Sequence, residues 1–146
     1  MSIVKLQSSD GKTMEVDFDI ITRCSGTIKR FLDDWEDAAL PLENINSDIL
    51  TMVIEWAEFH FKPDASEKDI HRWRQTFVSQ NHVALFSLIK AANYLDIESL
   101  HDVTCKTVAY MIRGKTPEEM RRILHIEDDY KNLSDESMNA LQFHNI

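Results

Sequence analysis

At 146 residues, with 43% hydrophobic and 28% charged side chains, the chain has the size and balance of one globular domain and not the composition of a disordered or fibrous one. Its 25 acidic against 16 basic groups give a formal charge of -9, which repels phosphate backbones and anionic lipid, so the expected partners include no nucleic acid and no membrane. Three glycines and three prolines leave no glycine-rich phosphate loop and no dinucleotide fingerprint, and no run approaches the roughly 18 to 20 apolar residues of a membrane helix.

Residues 13–18, Thr-Met-Glu-Val-Asp-Phe, alternate with period two and set Met14, Val16 and Phe18 on one face, while Val4 and Leu6 alternate upstream. Asp10-Gly11 between the two runs predicts a hairpin with one buried face, Gly11 supplying a positive φ. From about residue 25 the period changes: Ile28, Phe31, Leu32 and Trp35 fall on one helical stripe, with Ser25 or Thr27 as cap. An acidic exit, Asp33 to Asp37, leads to Leu40-Pro41-Leu42, an extended piece whose proline suits an edge strand. Ile49, Met52, Val53 and Trp56 predict a core helix capped by Asn46 or Ser47, and residues 61–66 read as a linker. Ile70, Trp73 and Phe77 then predict a helix lying on the surface of the others.

Helices are expected over about 82–95 and 97–112, the second stopped by Gly114. Thr116-Pro117-Glu118-Glu119 combines a first-position proline with capping-box spacing, and Met120, Ile123 and Leu124 follow as the apolar face. A last helix is expected over roughly 134–143, capped by Ser134. The last third thus carries a surplus of apolar helical faces, which either pack on one another or leave surface for a partner helix.

Chemistry-bearing residues are sparse. Cys24 and Cys105 are isolated thiols, and Met1-Ser2-Ile3-Val4-Lys5 shows no secretory pattern, so an intracellular, reduced protein is expected. The six histidines, at 60, 71, 82, 101, 125 and 144, include no pair at i, i+4 spacing, and no metal or cofactor site is expected. Cys24, just before a helix start, is the one candidate nucleophile for a Cys/His hydrolase, against the plainer reading of a semi-buried thiol. Glu118/Glu119 and Glu127/Asp128/Asp129 read as solvated carboxylates with no acid–base role. His71-Arg72-Trp73-Arg74 is a basic tetrad with an aromatic that could stack on a nucleic acid strand, a weak signal in an acidic chain.

Particular strings decide more than periodicity. VKLQSSDGKTMEVD, SGTIKRFLDD, LPLENINSDILTMVIEW and above all AANYLDIESLHDVTCKTVAYMIRGKTPEEMRRIL closely resemble the S-phase-kinase-associated (Skp-type) adaptor family of SCF cullin-RING ubiquitin ligases, over about residues 3 to 126. The resemblance implies an α/β fold: a BTB/POZ-type domain, a small sheet with packed helices, over residues 1–112, and a C-terminal helical extension over 113–146 that completes an F-box-binding surface. It implies an adaptor and not an enzyme, found in cytoplasm and nucleus, with a cullin and F-box proteins as partners. Asn93 and Tyr94 in AANYLDI are the implied cullin contacts. Ile97, Leu100, His101, Val108, Met111, Ile112, Met120 and Ile123 are the implied F-box contacts.

Three departures from the family pattern stand out. Lys90 occupies a position where leucine is expected, His101 does the same on the receptor side, and residues 130–146 lack the tryptophan-bearing terminal helix. The acidic insertion after the first helix is also short. A self-assembling BTB-like scaffold without a ligase role, forming a homodimer or larger assembly through the same receptor face, is the alternative reading.

Overall fold

The computed structural model describes residues 2–35, 39–61 and 64–124. A three-stranded sheet is formed by β1 (Ile3–Gln7), β2 (Thr13–Asp17) and β3 (Leu40–Pro41), in the order β2-β1-β3. β1 and β2 are the antiparallel hairpin that Asp10-Gly11 predicts, with Val4 opposite Val16, Leu6 opposite Met14, and Gly11 at φ 84°. β3 pairs in parallel with β1 as an edge, Leu6 opposite Leu40, so Pro41 sits where a missing amide is tolerated.

The hairpin turn is bolted to the first long helix. The hydroxyl of Ser8 donates to one Asp10 carboxylate oxygen at 2.6 Å, the amide of Ser47 to the same oxygen at 2.8 Å, and the Ser47 hydroxyl to the other at 2.6 Å. These donors stabilise the ionised form and hold the Asp10 carboxyl down at about 2, Ser47 contributing most. Ser47 opens α3 (Ser47–His60), whose amide at Ile49 is capped by Asn46 at 2.9 Å.

β2 ends one residue earlier than the alternation suggests. The Asp17 carboxylate accepts from the amides of Asp19 at 2.9 Å and Ile20 at 3.2 Å, and so starts a short helix, α1 (Phe18–Cys24). Phe18 is therefore the first helical residue, 38% exposed, and not a member of the buried strand face. Ser25 then serves two helices: its amide donates to the Ile21 carbonyl at the end of α1, and its hydroxyl caps α2 (Gly26–Asp33) by accepting from the Ile28 amide at 3.1 Å. The stripe predicted for α2 holds at Ile28, which is buried. Phe31 is 42% exposed, and Trp35 lies beyond the helix end, packed against the core.

The remaining elements are α4 (Glu67–Gln80), a single 3-10 turn at His82–Ala84, α5 (Leu85–Leu95), α6 (Glu98–Ile112) and α7 (Pro117–Leu124). The helix expected over 82–95 is thus divided at residue 85. α4 does lie on the outside, attached by its aromatic side. Trp73 stacks on Phe59 at 4.2 Å and 4° and on Phe77 at 5.1 Å, and both Trp73 and Phe77 meet Trp56. Thr116 and Glu119 form the capping box of α7, with the Glu119 amide donating to the Thr116 hydroxyl at 3.2 Å and the Thr116 amide to the Glu119 carboxylate at 3.3 Å. The helix expected over 134–143 lies outside the described residues.

A contact between distant segments helps hold the α/β layer to the C-terminal helices. At the N-terminus of α2, the Ser25 hydroxyl donates to the Leu95 carbonyl at 2.5 Å, the Gly26 amide to the Asp96 carbonyl at 3.3 Å, and the Thr27 hydroxyl to the Tyr94 carbonyl at 2.9 Å. The end of a helix leaves carbonyls without intrahelical partners, and α2 supplies three donors to that end of α5. Asp96 caps α5 with a left-handed backbone, φ 54°. A β-carbon on Gly26 would meet the Asp96 carboxylate, the exposed end of a flexible side chain that would have to turn aside.

Two measurements check these local attachments. Because the folded value of Asp10, about 2, lies below the ordinary 3.8, its bonds stabilise the fold fully above about pH 4, and that contribution is lost as the pH falls from about 4 through about 2. Asp10→Ala is therefore less stable than the native chain at pH 7, and the difference shrinks across that window. Parallel stability curves from pH 7 to 2 would contradict this. Ser25→Ala removes a helix cap and strands a buried carbonyl, and it should cost roughly 2–3 kcal/mol in urea unfolding with unchanged slope. A loss below about 0.5 kcal/mol would show that the contact contributes little.

Candidate functional site: two helical faces and a shallow cavity

α5 exposes a narrow strip. Leu85, Phe86, Leu88, Ile89, Ala91, Ala92 and Leu95 are buried, which leaves Ser87, Lys90 and Asn93 exposed and Tyr94 half-buried on the opposite side. Spacings of three and four residues put these four side chains on one helical face. Asn93 and Tyr94 are thus brought together at the end of α5 that α2 holds: the Tyr94 carbonyl is the acceptor for Thr27, while its ring packs partly on the core. Phe31, one turn beyond Thr27 on α2, adds exposed aromatic area. Lys90 points its ammonium over the Phe86 ring, 5.4 Å from the centroid.

The second face is on α6 and α7. Of the residues expected to receive an F-box, Ile97, Leu100, Val108, Ile112 and Met120 are buried. Among the described residues they pack inside the core where α6 lies along α5 and α7 along α6. His101, Met111 and Ile123 are half-buried and keep accessible area. Much of the apolar surplus in this part of the chain is therefore internal packing.

Sequence reasoning passed over Tyr110. It is 75% exposed and continues the solvated stripe Glu98, Asp102, Lys106 along α6, in which Lys106 and Asp102 pair at 3.1 Å. The signal was present in the i, i+4 spacing, since an aromatic that continues a charged stripe faces water. His101 lies on the inner side, its ring nitrogens 3.6 and 3.9 Å from the Cys105 sulfur.

A cavity of about 440 Å³ opens between α1, α3 and the start of α6, lined in part by Arg23, Cys24, His60, Phe61, Asp96 and Ser99. It brings together the Cys/His pair that a hydrolase would need, but neither group is prepared for that chemistry. Burial pushes the Cys24 thiol up to about 11, so the thiolate is suppressed at neutral pH. Both nitrogens of His60 are engaged: Nδ1 lies 2.7 Å from the Trp56 carbonyl, which requires it to donate, and Nε2 accepts from Arg74 at 3.0 Å. Burial also lowers the imidazole pKa, and the Arg74 charge adds to the effect. Cys105 is buried and likewise shifted upward by desolvation.

The basic tetrad is not a stacking platform. Trp73 is already stacked against Phe59 and Phe77, and Arg74 turns inward over Trp56, 5.3 Å from its centroid. Among the described residues no three His, Cys, Asp or Glu groups come together as a metal set, and no helix is long and apolar enough to cross a membrane.

Comparison with known proteins agrees with the motifs. Residues 2–62 match the Skp1 family, tetramerisation domain, and residues 98–139 match the Skp1 family, dimerisation domain. The chain is 45% identical over 142 residues to the SCF ubiquitin ligase complex protein SKP1b of Dictyostelium discoideum, covering 89% of this chain and 87% of that protein. It is 44% identical over 142 residues to SKP1a of the same organism, with the same coverage. To the SKP1-like protein 11 of Arabidopsis thaliana it is 40% identical over 139 residues, covering 93% of this chain and 91% of the relative. With both family regions matched and relatives this similar along most of its length, the chain belongs to the Skp1 family.

Proposed function

We propose that the chain is the adaptor subunit of an SCF-type ubiquitin ligase, docking a cullin on the α2–α5 face and an F-box receptor on the α6–α7 face. The observation that carries this reading is the exposed strip of α5, where Asn93 and Tyr94 stand beside each other on backbone fixed by Thr27. A half-buried tyrosine offers ring area with a polar tip, and its conformation is already fixed before docking, so little further ordering is needed. On the other face His101, Met111 and Ile123 are the accessible groups through which a receptor helix would bind. Ile97, Leu100, Val108, Ile112 and Met120 act from beneath, setting the shape of that face.

No bond is made or broken by such a protein. It works by converting an encounter between substrate and ligase into one within a single complex, which raises the effective concentration of the substrate at the catalytic end. The surroundings of Cys24 and His60 support a role without catalysis. Cytoplasm and nucleus are the compartments where this role would be exercised.

The matched family regions carry the names tetramerisation and dimerisation, and the second, residues 98–139, contains α6 and α7, which favours one second reading: self-association through the α6–α7 face.

Titration calorimetry of the full chain with the N-terminal region of a cullin, and separately with an F-box protein, tests the adaptor reading. Asn93→Lys combined with Tyr94→Lys should weaken cullin binding at least about thirtyfold, the scale of an interface hot spot, and leave F-box binding intact. Native-like cullin affinity in the double variant, or no binding of either partner by the folded native chain, would refute it. Reversible assembly that an F-box peptide cannot displace would favour the self-associating scaffold.

A further inference from the structure

Lys90 is the only charged side chain among the eleven residues of α5. It lies three and four residues before Asn93 and Tyr94, so a surface that covers those two also covers Lys90. Among the described residues no carboxylate lies within ion-pair distance of it. Asp96, at the same end of α5, is paired with Arg30 at 3.7 Å. The Phe86 ring beneath Lys90 is buried and partly orients the ammonium, but it supplies no counter-charge. A partner that closes over this strip would strip water from an ammonium that has no counter-charge among the described residues, which is unfavourable unless the partner brings an anion.

We propose that Lys90 is the charge-selecting residue of the cullin-docking face, and that the cullin segment seated there presents an Asp or Glu carboxylate to it. The inference rests on the docking reading above and adds to it the chemistry of the partner. In a chain of formal charge -9, a cation with no ion pair among the described residues, at the centre of an otherwise uncharged helix face, gives that face a local sign opposite to the whole. An acidic segment is then favoured on this face and disfavoured elsewhere, which serves orientation and partner choice more than raw affinity.

The test is the salt dependence of binding to the cullin N-terminal region for the native chain, Lys90→Leu and Lys90→Glu. Lys12→Leu serves as a control that removes one exposed charge from the hairpin. Native affinity should fall with added salt. Lys90→Leu should flatten that slope, Lys90→Glu should lose about tenfold at low salt, and Lys12→Leu should behave as native. A cullin Asp→Lys or Glu→Lys change that restores binding to Lys90→Glu would identify the facing carboxylate. If both Lys90 variants bind with native affinity and slope while Asn93→Lys/Tyr94→Lys does not bind, the docking face is right and the Lys90 inference is wrong. If that double variant also binds like the native chain, the docking reading fails and the Lys90 inference fails with it.

Discussion

Three donors on consecutive residues, Ser25, Gly26 and Thr27, meet three consecutive carbonyls, Leu95, Asp96 and Tyr94, at the end of α5. The two segments are separated by about seventy residues, and their contact joins the hairpin layer to the helical part. α2 has eight residues, too few to be stable as an isolated helix in water, so its existence depends on this attachment and on the burial of Ile28. In return α2 satisfies carbonyls that the end of α5 leaves open. The attachment fixes where α2 meets α5, and the strip carrying Lys90, Asn93 and Tyr94 lies directly on the element so joined.

The distribution of polar chemistry fits a protein that works through surfaces. Its enclosed titratable groups are quiet: the Cys24 thiol is held protonated, and His60 has both ring nitrogens occupied. Arg74 and Trp73, which in sequence look available for a nucleic acid strand, instead help pin α4 to α3 through the cluster of Trp56, Phe59 and Phe77. Among the described residues the exposed aromatics are found elsewhere, Phe18 at the start of α1, Phe31 on α2, Phe61 at the end of α3 and Tyr110 on α6.

Local rules were legible and distant contacts were not. Gly11, Asn46 and Thr116–Glu119 act through residues within four positions, and each turn or cap formed where its residue type placed it. α1 escaped notice because Phe18 extends the strand alternation by one more apolar residue, although Asp17 immediately before it was a helix cap. A helical stripe shows which side is apolar but not what covers it. That is why the stripe left open whether Leu100, Val108 and Ile112 face a partner or the interior, and the structure buries them in the core. The Ser25-Gly26-Thr27 contact had no sequence signal of its own, since its partners are backbone carbonyls, which carry no residue identity. Only the family strings SGTIKRFLDD and AANYLDI held both halves.

The proposed cullin face is built on the α2–α5 contact, and the proposed receptor face lies on α6 and α7. The most direct measurement is the affinity of Thr27→Val for cullin and for an F-box protein, in a variant shown by circular dichroism to remain folded. The substitution removes the hydroxyl that holds the Tyr94 carbonyl, so cullin affinity is predicted to fall clearly while F-box affinity stays near native. Equal affinities for both partners in the variant and the native chain would contradict it.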